Sequence, residues 1–444
     1  MSEQSTEEQV AQAESAALDL ANVPDEERSA ALHAIADAIE DAEDEILAAN
    51  AKDVEAGEEK LEAGEYSQAL VDRLKLSPSK LESITEMVRS VAEQDDPLGE
   101  TLEARRLDDG LELYKVGVPI GVIATVFESR PDALVQIAAL SLKSGNAAIL
   151  KGGSEASHSN RVLYEVIREA TDDMPDGWAQ LIEAREDVDT LLGMDDSVDL
   201  VMPRGSSAFV QYIQDNTKIP VLGHTEGVCH VYVDRDADLD MAADVAYDAK
   251  VQYPAVCNAV ETLLVHADVA ADFLPGIVER YADAGVELRG DERARDVVDV
   301  DPASEADWSQ EYGDLVLSLK VVDSLDDAVD HINTYGSKHT ESVLTETSDR
   351  AGEFMQRVDA ASVFHNASTR FADGYRYGLG AEVGISTGKI HARGPVGLDG
   401  LTTYKYYLEG DGHLVASYAG ENPKPFLHEE FDGEWVPGHL ASDQ

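Results

Sequence analysis

Residues 120–151 read "IGVIATVFESRPDALVQIAALSLKSGNAAILK", and this stretch decides the fold. An apolar run, "IGVIATVF", is followed by helix-like "PDALVQIAALSLKSG" and then by a second run, "NAAILK". Runs that are apolar at consecutive rather than alternate positions predict strands covered on both faces, as in a parallel sheet with crossover helices. Downstream the pattern repeats: "WAQLIEA", "VDLVMP", "IPVLG" and "CHVYVD" read as strands, with helices through "HSNRVLYEVIREA" and from "GSSAFVQYIQ". The expectation is an α/β chain whose first sheet is open, parallel and Rossmann-like.

On the amino-terminal side, residues 5–95 read as helices separated by "NVPDEE" and "LSPSK". Residues 102–119, "LEARRLDDGLELYKVGVP", alternate around Asp109-Gly110, a dipeptide that favours a tight hairpin; such a small ribbon is suited to oligomerisation. On the carboxyl side, a second α/β pattern runs from about 235 to 375. The expected division is a cofactor domain with its helices over 1–234, a catalytic thiol domain over 235–378, a return segment with an oligomerisation strand over 379–414, and an irregular acidic tail over 415–444.

The chain of 444 residues carries 89 Asp and Glu against 34 Lys and Arg, a formal net charge of -55. That balance excludes nucleic acid and anionic membrane as partners. The acidic residues are spread through every amphipathic segment, as on a surface adapted to strong salt, where screening at ~1 M shortens to about 3 Å. Only Cys229 and Cys257 are present, so no disulfide framework is expected and the compartment reads as reducing cytosol. The first residues lack a signal-peptide pattern and no long apolar span occurs. The histidines are scattered without a metal-binding pair on one helix turn, so no metal is predicted.

Cys257 lies in "YPAVCNAVETLLVH" (253–266), where a turn meets a strand-like run. A thiol at such a junction can project into a cleft, with its own N–H and that of Asn258 free to hold an oxyanion. Cys229 opens "CHVYVD" and reads as packing. Composition and spacing reach a thiol-dependent nucleotide oxidoreductase.

Longer blocks carry more. "YKVGVPIGVIATVFESRPDALVQIAALSLKSGNAAILKGG", "IPVLGHTEGVCHVYVD", "YPAVCNAVETLLVH", "KVVDSLDDAVDHINTYGSKHTESVLTE" and "FHNASTRFADGYRYGLGAEVGISTGKIHARGPVGLDGLTTYKY" follow one another in order. Together they resemble the aldehyde dehydrogenase superfamily over residues 15–412, and within it the reductases of acyl phosphates. The resemblance implies an aldehyde dehydrogenase-like fold with Cys257 as nucleophile. It implies reduction of L-glutamyl 5-phosphate by NADPH to glutamate 5-semialdehyde through a cysteine thioester, in proline biosynthesis. A homo-oligomer is implied as well, with glutamate 5-kinase as pathway neighbour.

The resemblance also assigns residues. Where hydrolytic members carry "ELGGKNP"-like residues this chain has "HTEGVCH", so the thioester-hydrolysing Glu falls on His224, with Glu226 two residues on. Absence of that base suits a reductase, whose thioester must survive water. The usual oxyanion Asn is replaced at Ser129, and neighbouring Arg130 is a candidate for substrate phosphate or carboxylate. Lys151 resembles the lysine at the cofactor's adenosine ribose; Ser154, in place of a Glu, favours NADP, although Glu155 is adjacent. Gly205, Ser206 and Ser207 match the cofactor loop at a helix start, although that pattern alone resembles any N-cap. Glu311 matches a residue at the nicotinamide ribose. Asn366, Ser368, Thr369 and Arg370 form a polar set suited to an amino acid's α-groups, with Asn366 and Arg370 the substrate-binding candidates. Lys389, His391 and Arg393 are placed to attract phosphate or to close a subunit contact. The rival readings are a hydrolytic NAD-dependent aldehyde dehydrogenase and a nucleotide-binding relative without catalysis.

Overall fold

The structure, a computed structural model, describes residues 4–183 and 187–436. The chain forms two units: one takes Met1–Gly205, Tyr212–Val221 and Gly397–Gln444, the other Ser206–Gln211 and Leu222–Val396.

The first unit opens with helices over Thr6–Leu20, Asp25–Asp41, Glu43–Glu62, Gln68–Leu74 and Pro78–Ala92. Ser5, Ser67 and Ser77 each accept a first-turn N–H, and Pro78 stands at a position where no N–H is needed. Buried cations lock this layer: Lys143 Nζ donates to Asp25 at 2.6 Å, and Arg28 grips both oxygens of Asp96 at 2.8 and 2.9 Å. β1 (Thr101–Asp108) pairs antiparallel with β2 (Leu111–Pro119), and Gly110 supplies the positive φ, +71°, that the tight turn requires. β3 (Val122–Phe127), β4 (Ala147–Gly152), β5 (Ala179–Leu181) and β6 (Leu200–Arg204) form a parallel sheet in the order β5-β4-β3-β6. All of β3 and β4 is buried, as is the intervening helix Pro131–Lys143 except at Asp132 and Gln136. Residues 120–151 show little polar alternation because almost none of them meets water. Residues 219–223, expected as a strand, make only a single bridge between Val221 and Val201.

The second unit is built on β7 (Cys229–Val233), β8 (Val260–His266), β9 (Glu287–Gly290), β10 (Asp301–Pro302), β11 (Val316–Val322), β12 (Thr340–Leu344) and β13 (Ser362–His365). They make one all-parallel sheet in the order β10-β9-β11-β8-β7-β12-β13. The sequence groups "CHVYVD" with the first sheet; β7 instead sits between β8 and β12, because a run buried on both faces fits the centre of either sheet. Val231, Val233, Leu263 and Val265 pack toward one helical layer, with Phe273 and Leu274. Tyr232 and Leu264 pack toward the other, with Ile332 and Phe354. A two-residue ladder joins β14 (Ile385–Ser386) to β15 (Gly394–Pro395).

The chain then returns to the first unit. β16 (Thr402–Glu409) pairs with β2 and β17 (Glu429–Glu430) with β1, widening the hairpin to β16-β2-β1-β17. Residues 415–436 hold little regular structure yet are pinned: Tyr418 donates to Asp108 at 2.5 Å, Lys424 pairs with the same carboxylate, and Trp435 stacks on Tyr407 with centroids 4.1 Å apart. Among the described residues no helix is long and apolar enough to cross a membrane.

Candidate active site

Three chain segments converge where β7, β8 and β12 begin. Helix Leu239–Val251, capped by Asp238, ends in the turn that carries Cys257 into β8. Ala259 N–H donates to the Val256 carbonyl at 2.9 Å, closing that turn around a half-buried thiol. Gly227 packs against the turn so closely that a Cβ on it would stand 2.0 Å from the Cys257 carbonyl oxygen. Cys229 Sγ donates to the same carbonyl at 3.2 Å. The Cys257 backbone is thus held by its neighbours.

Beside that sulfur stand two imidazoles. One ring nitrogen each of His224 and His339 and the Cys257 sulfur all lie within 4.8 Å of one another, and the two rings meet edge to face at 4.9 Å. His224 Nδ1 is 2.7 Å from the Ile385 carbonyl, which can only accept, so Nδ1 carries a proton and donates it to that bond. His339 is fully buried; its Nδ1 lies 2.9 Å from the Thr340 hydroxyl and 3.7 Å from Cys229 Sγ. Its Nε2 has no hydrogen-bond partner among the described residues.

Charge is arranged tightly in this region. Lys250 Nζ and Glu261 meet at 2.7 Å with both side chains wholly buried. Burial pulls both toward neutrality, moving Glu261 up to about 7 and Lys250 down, against their mutual attraction. Burial also pushes the Cys229 thiol well above its usual range, which fits its packing role. Arg370 is 7% exposed, donates through Nε to Gln252 at 3.0 Å, and is pushed down chiefly by desolvation; the charge of Cys257 acts against that shift.

The sequence candidates divide by location. Arg370 lies at the thiol end of the second unit, and Glu311 is near enough to Glu261 to help raise its carboxyl. Asn366 is not brought there: its positive φ of +52° turns the chain, and its amide bonds the N–H and carbonyl of Thr345, at the carboxyl end of β12. Glu226 is exposed, and Lys389 and Arg393 both pair with Asp359 at 2.9 Å. In the first unit, Lys151 ends β4 buried, donating to the Gly152 carbonyl at 2.6 Å. Glu155 accepts from both the N–H and the hydroxyl of Ser129, at 2.7 and 2.8 Å. Arg130 precedes helix Pro131–Lys143 half exposed, and its guanidinium has no hydrogen bond or ion pair among the described residues. Gly205 follows β6, and the Ser206 carbonyl accepts from Phe209 and Val210 as helix Ser207–Asn216 begins. These last residues follow the carboxyl ends of β3, β4 and β6, where open parallel sheets take nucleotides. His339 was not legible as a site residue: a lone His before a strand carries no motif, and only the pairing of β12 with β7 sets it beside Cys257.

Comparison with known proteins identifies the family of the chain. A model of the aldehyde dehydrogenase family matches residues 1–312. The γ-glutamyl phosphate reductase of Natronomonas pharaonis is 77% identical over 436 residues, covering 98% of this chain and 100% of the relative. That of Haloquadratum walsbyi is 71% identical, covering 97% of this chain and 96% of the relative. Both sources are halophilic archaea, consistent with the acidic surface. The crystal structure of γ-glutamyl phosphate reductase from Thermotoga maritima superposes with a TM-score of 0.89 at 42% identity, covering 93% of this chain and 100% of that one. The chain belongs to the aldehyde dehydrogenase family, in its γ-glutamyl phosphate reductase branch.

Proposed function

We propose that the chain reduces L-glutamyl 5-phosphate to L-glutamate 5-semialdehyde with release of phosphate, the reductive step of proline biosynthesis, using NADPH and a thioester on Cys257. The observation that carries the mechanism is the thiol at the amino ends of β7, β8 and β12, grouped with two imidazoles. Cys257 thiolate attacks the γ-carbonyl, and the backbone N–H groups of Cys257 and Asn258 are suited to the oxyanion. Phosphate departs and the acyl group stays on sulfur. With His224 in the place of a hydrolytic carboxylate, the chain lacks the Glu that hydrolytic members use to aim water at the thioester. After reduction, the thiohemiacetal collapses to the aldehyde and frees the thiolate.

The family's cofactor is a nicotinamide dinucleotide, and a bound NADPH supplies the hydride. The residues present fit it. Lys151, an ammonium at the end of β4, suits a ribose or phosphate, and Gly205 and Ser206 lead into a helix start suited to the pyrophosphate. Glu311 suits the nicotinamide ribose. Preference for the 2'-phosphate rests on Ser154 and on Glu155, whose carboxylate is already bonded to Ser129. Arg130 and Arg370 are the cations for the substrate's anionic groups; Asn366 shapes the loop that leads to Arg370. The exposed Tyr404, Tyr406 and Leu408 on β16 support association of copies through the ribbon. The acyl phosphate must be supplied by a kinase acting on the glutamate side chain, and the expected setting is the cytosol.

The test is the reverse reaction in molar KCl: NADP reduction with glutamate 5-semialdehyde, with and without inorganic phosphate. Strict phosphate dependence, abolished in Cys257→Ser with NADPH binding retained, is the expected result. Turnover without phosphate overturns the reading in favour of hydrolysis.

A further inference from the structure

We propose that Cys257, His224 and His339 form a coordination site for a zinc-class divalent cation, which caps the thiol when bound. The set is one thiolate and two imidazoles, a soft and borderline donor mixture that selects Zn²⁺ or Co²⁺ over the hard cations that carboxylates and carbonyls hold. The 89 acidic residues attract divalent ions across the whole surface, but they offer only oxygen.

The donor atoms are set for it. They lie within 4.8 Å of one another, whereas a tetrahedral zinc with bonds of about 2.0–2.3 Å needs them about 3.5 Å apart, a closure of roughly 1 Å that rotation of the half-buried Cys257 and His224 side chains supplies. Each imidazole is oriented by a neighbour on its Nδ1 side: the Ile385 carbonyl receives the His224 proton, and the Thr340 hydroxyl flanks His339. Outer partners of this kind fix a metal-binding histidine, and at His339 they leave Nε2 for the cation. At His339 this nitrogen is fully buried and has no hydrogen-bond partner among the described residues, a cost to the fold that coordination would relieve. Cys229 is not part of the set, because its sulfur is directed at the Cys257 carbonyl. Three protein ligands leave the fourth position to water, and substrate and cation compete for one sulfur. Coordination stands on geometry alone; only the loss of turnover rests on the role proposed for Cys257.

The experiment is a Co²⁺ titration of the reduced full-length protein in molar KCl, following the near-ultraviolet thiolate-to-cobalt charge-transfer band, which surface carboxylates cannot produce. The band should saturate at one equivalent, vanish with EDTA or excess Zn²⁺, be absent from Cys257→Ser and persist in Cys229→Ser. His224→Ala and His339→Gln should each raise the half-saturating concentration at least about tenfold. Turnover in the same samples should fall as the band rises. No band, a band that survives in Cys257→Ser, or one that neither histidine substitution weakens overturns the site. A band with the expected variant pattern but undiminished turnover upholds the site and overturns Cys257 as nucleophile.

Discussion

Replacing Gly227 by alanine tests how Cys257, the proposed nucleophile, is held. The residue is buried, and its φ is not in the left-handed region, so the effect of an added methyl is steric. A Cβ there would stand 2.0 Å from the Cys257 carbonyl oxygen and 2.6 Å from its carbonyl carbon and Cα, against a floor of 3.0 Å for real contacts. The obstructing atoms are backbone and cannot rotate away, so the Cys257 turn must move by at least about 1 Å. A misplacement of ~1 Å at a reacting centre costs about 100-fold in rate. Overpacking of this kind also costs about 1–3 kcal/mol, which a protein of this size tolerates. The assay is steady-state, phosphate-dependent NADP reduction in molar KCl, with circular dichroism confirming the fold. The expected outcome is kcat lowered about 100-fold with a smaller change in KM; kcat within about threefold of the parent would refute the claim that this contact positions the thiol.

Gly276→Ala is the matched control, because nothing lies within 4 Å of a Cβ there and the site is inside helix Ala267–Asp283. It should raise stability by about 1 kcal/mol in a denaturant melt and leave turnover unchanged. Lowering salt from molar KCl to ~10 mM extends the screening length from about 3 to about 30 Å, so a chain of net charge -55 should melt at a lower temperature; an unchanged Tm refutes a salt-requiring surface. Lys424, Tyr418 and the Asp109 N–H hold the Asp108 carboxyl down at about 2 from its ordinary 3.8. A depressed carboxyl stabilises above its unfolded value, so anchoring of residues 415–430 is complete above pH ~4 and is lost as pH falls toward 2. Asp108→Asn should therefore expose that segment to protease at neutral pH; digestion as slow as the parent's would refute the anchor.

The architecture was legible where burial is recorded locally. Residues 120–151 show strand, helix and strand because each is buried on its own account, and Asp109-Gly110 marks its turn through the conformation of Gly110. Membership of a sheet was less legible. Cys229–Val233 is apolar on both faces, which states that the strand is central but not which partners flank it. The site divides in the same way. Cys257 stands out by its junction and by resemblance, whereas His339 comes beside Cys229 only through pairing across 110 residues of chain. The polar neighbours of Asn366 suggest a ligand-binding amide, whereas its bonds to the Thr345 backbone follow from its positive φ beside a strand end, which the sequence does not display.

The Cys257 thiol stands where three parallel strands start, and that has a consequence in time. Parallel pairing is non-local: β7, β8 and β12 must each find a partner across a helical crossover before Cys257, His224 and His339 come together. Helices such as Leu239–Val251 form from neighbouring residues and need no such search. On refolding, helical signal therefore returns well before catalytic competence. A nascent or salt-starved chain should pass through a stage that already has its helices, while Cys257 is still an ordinary exposed thiol.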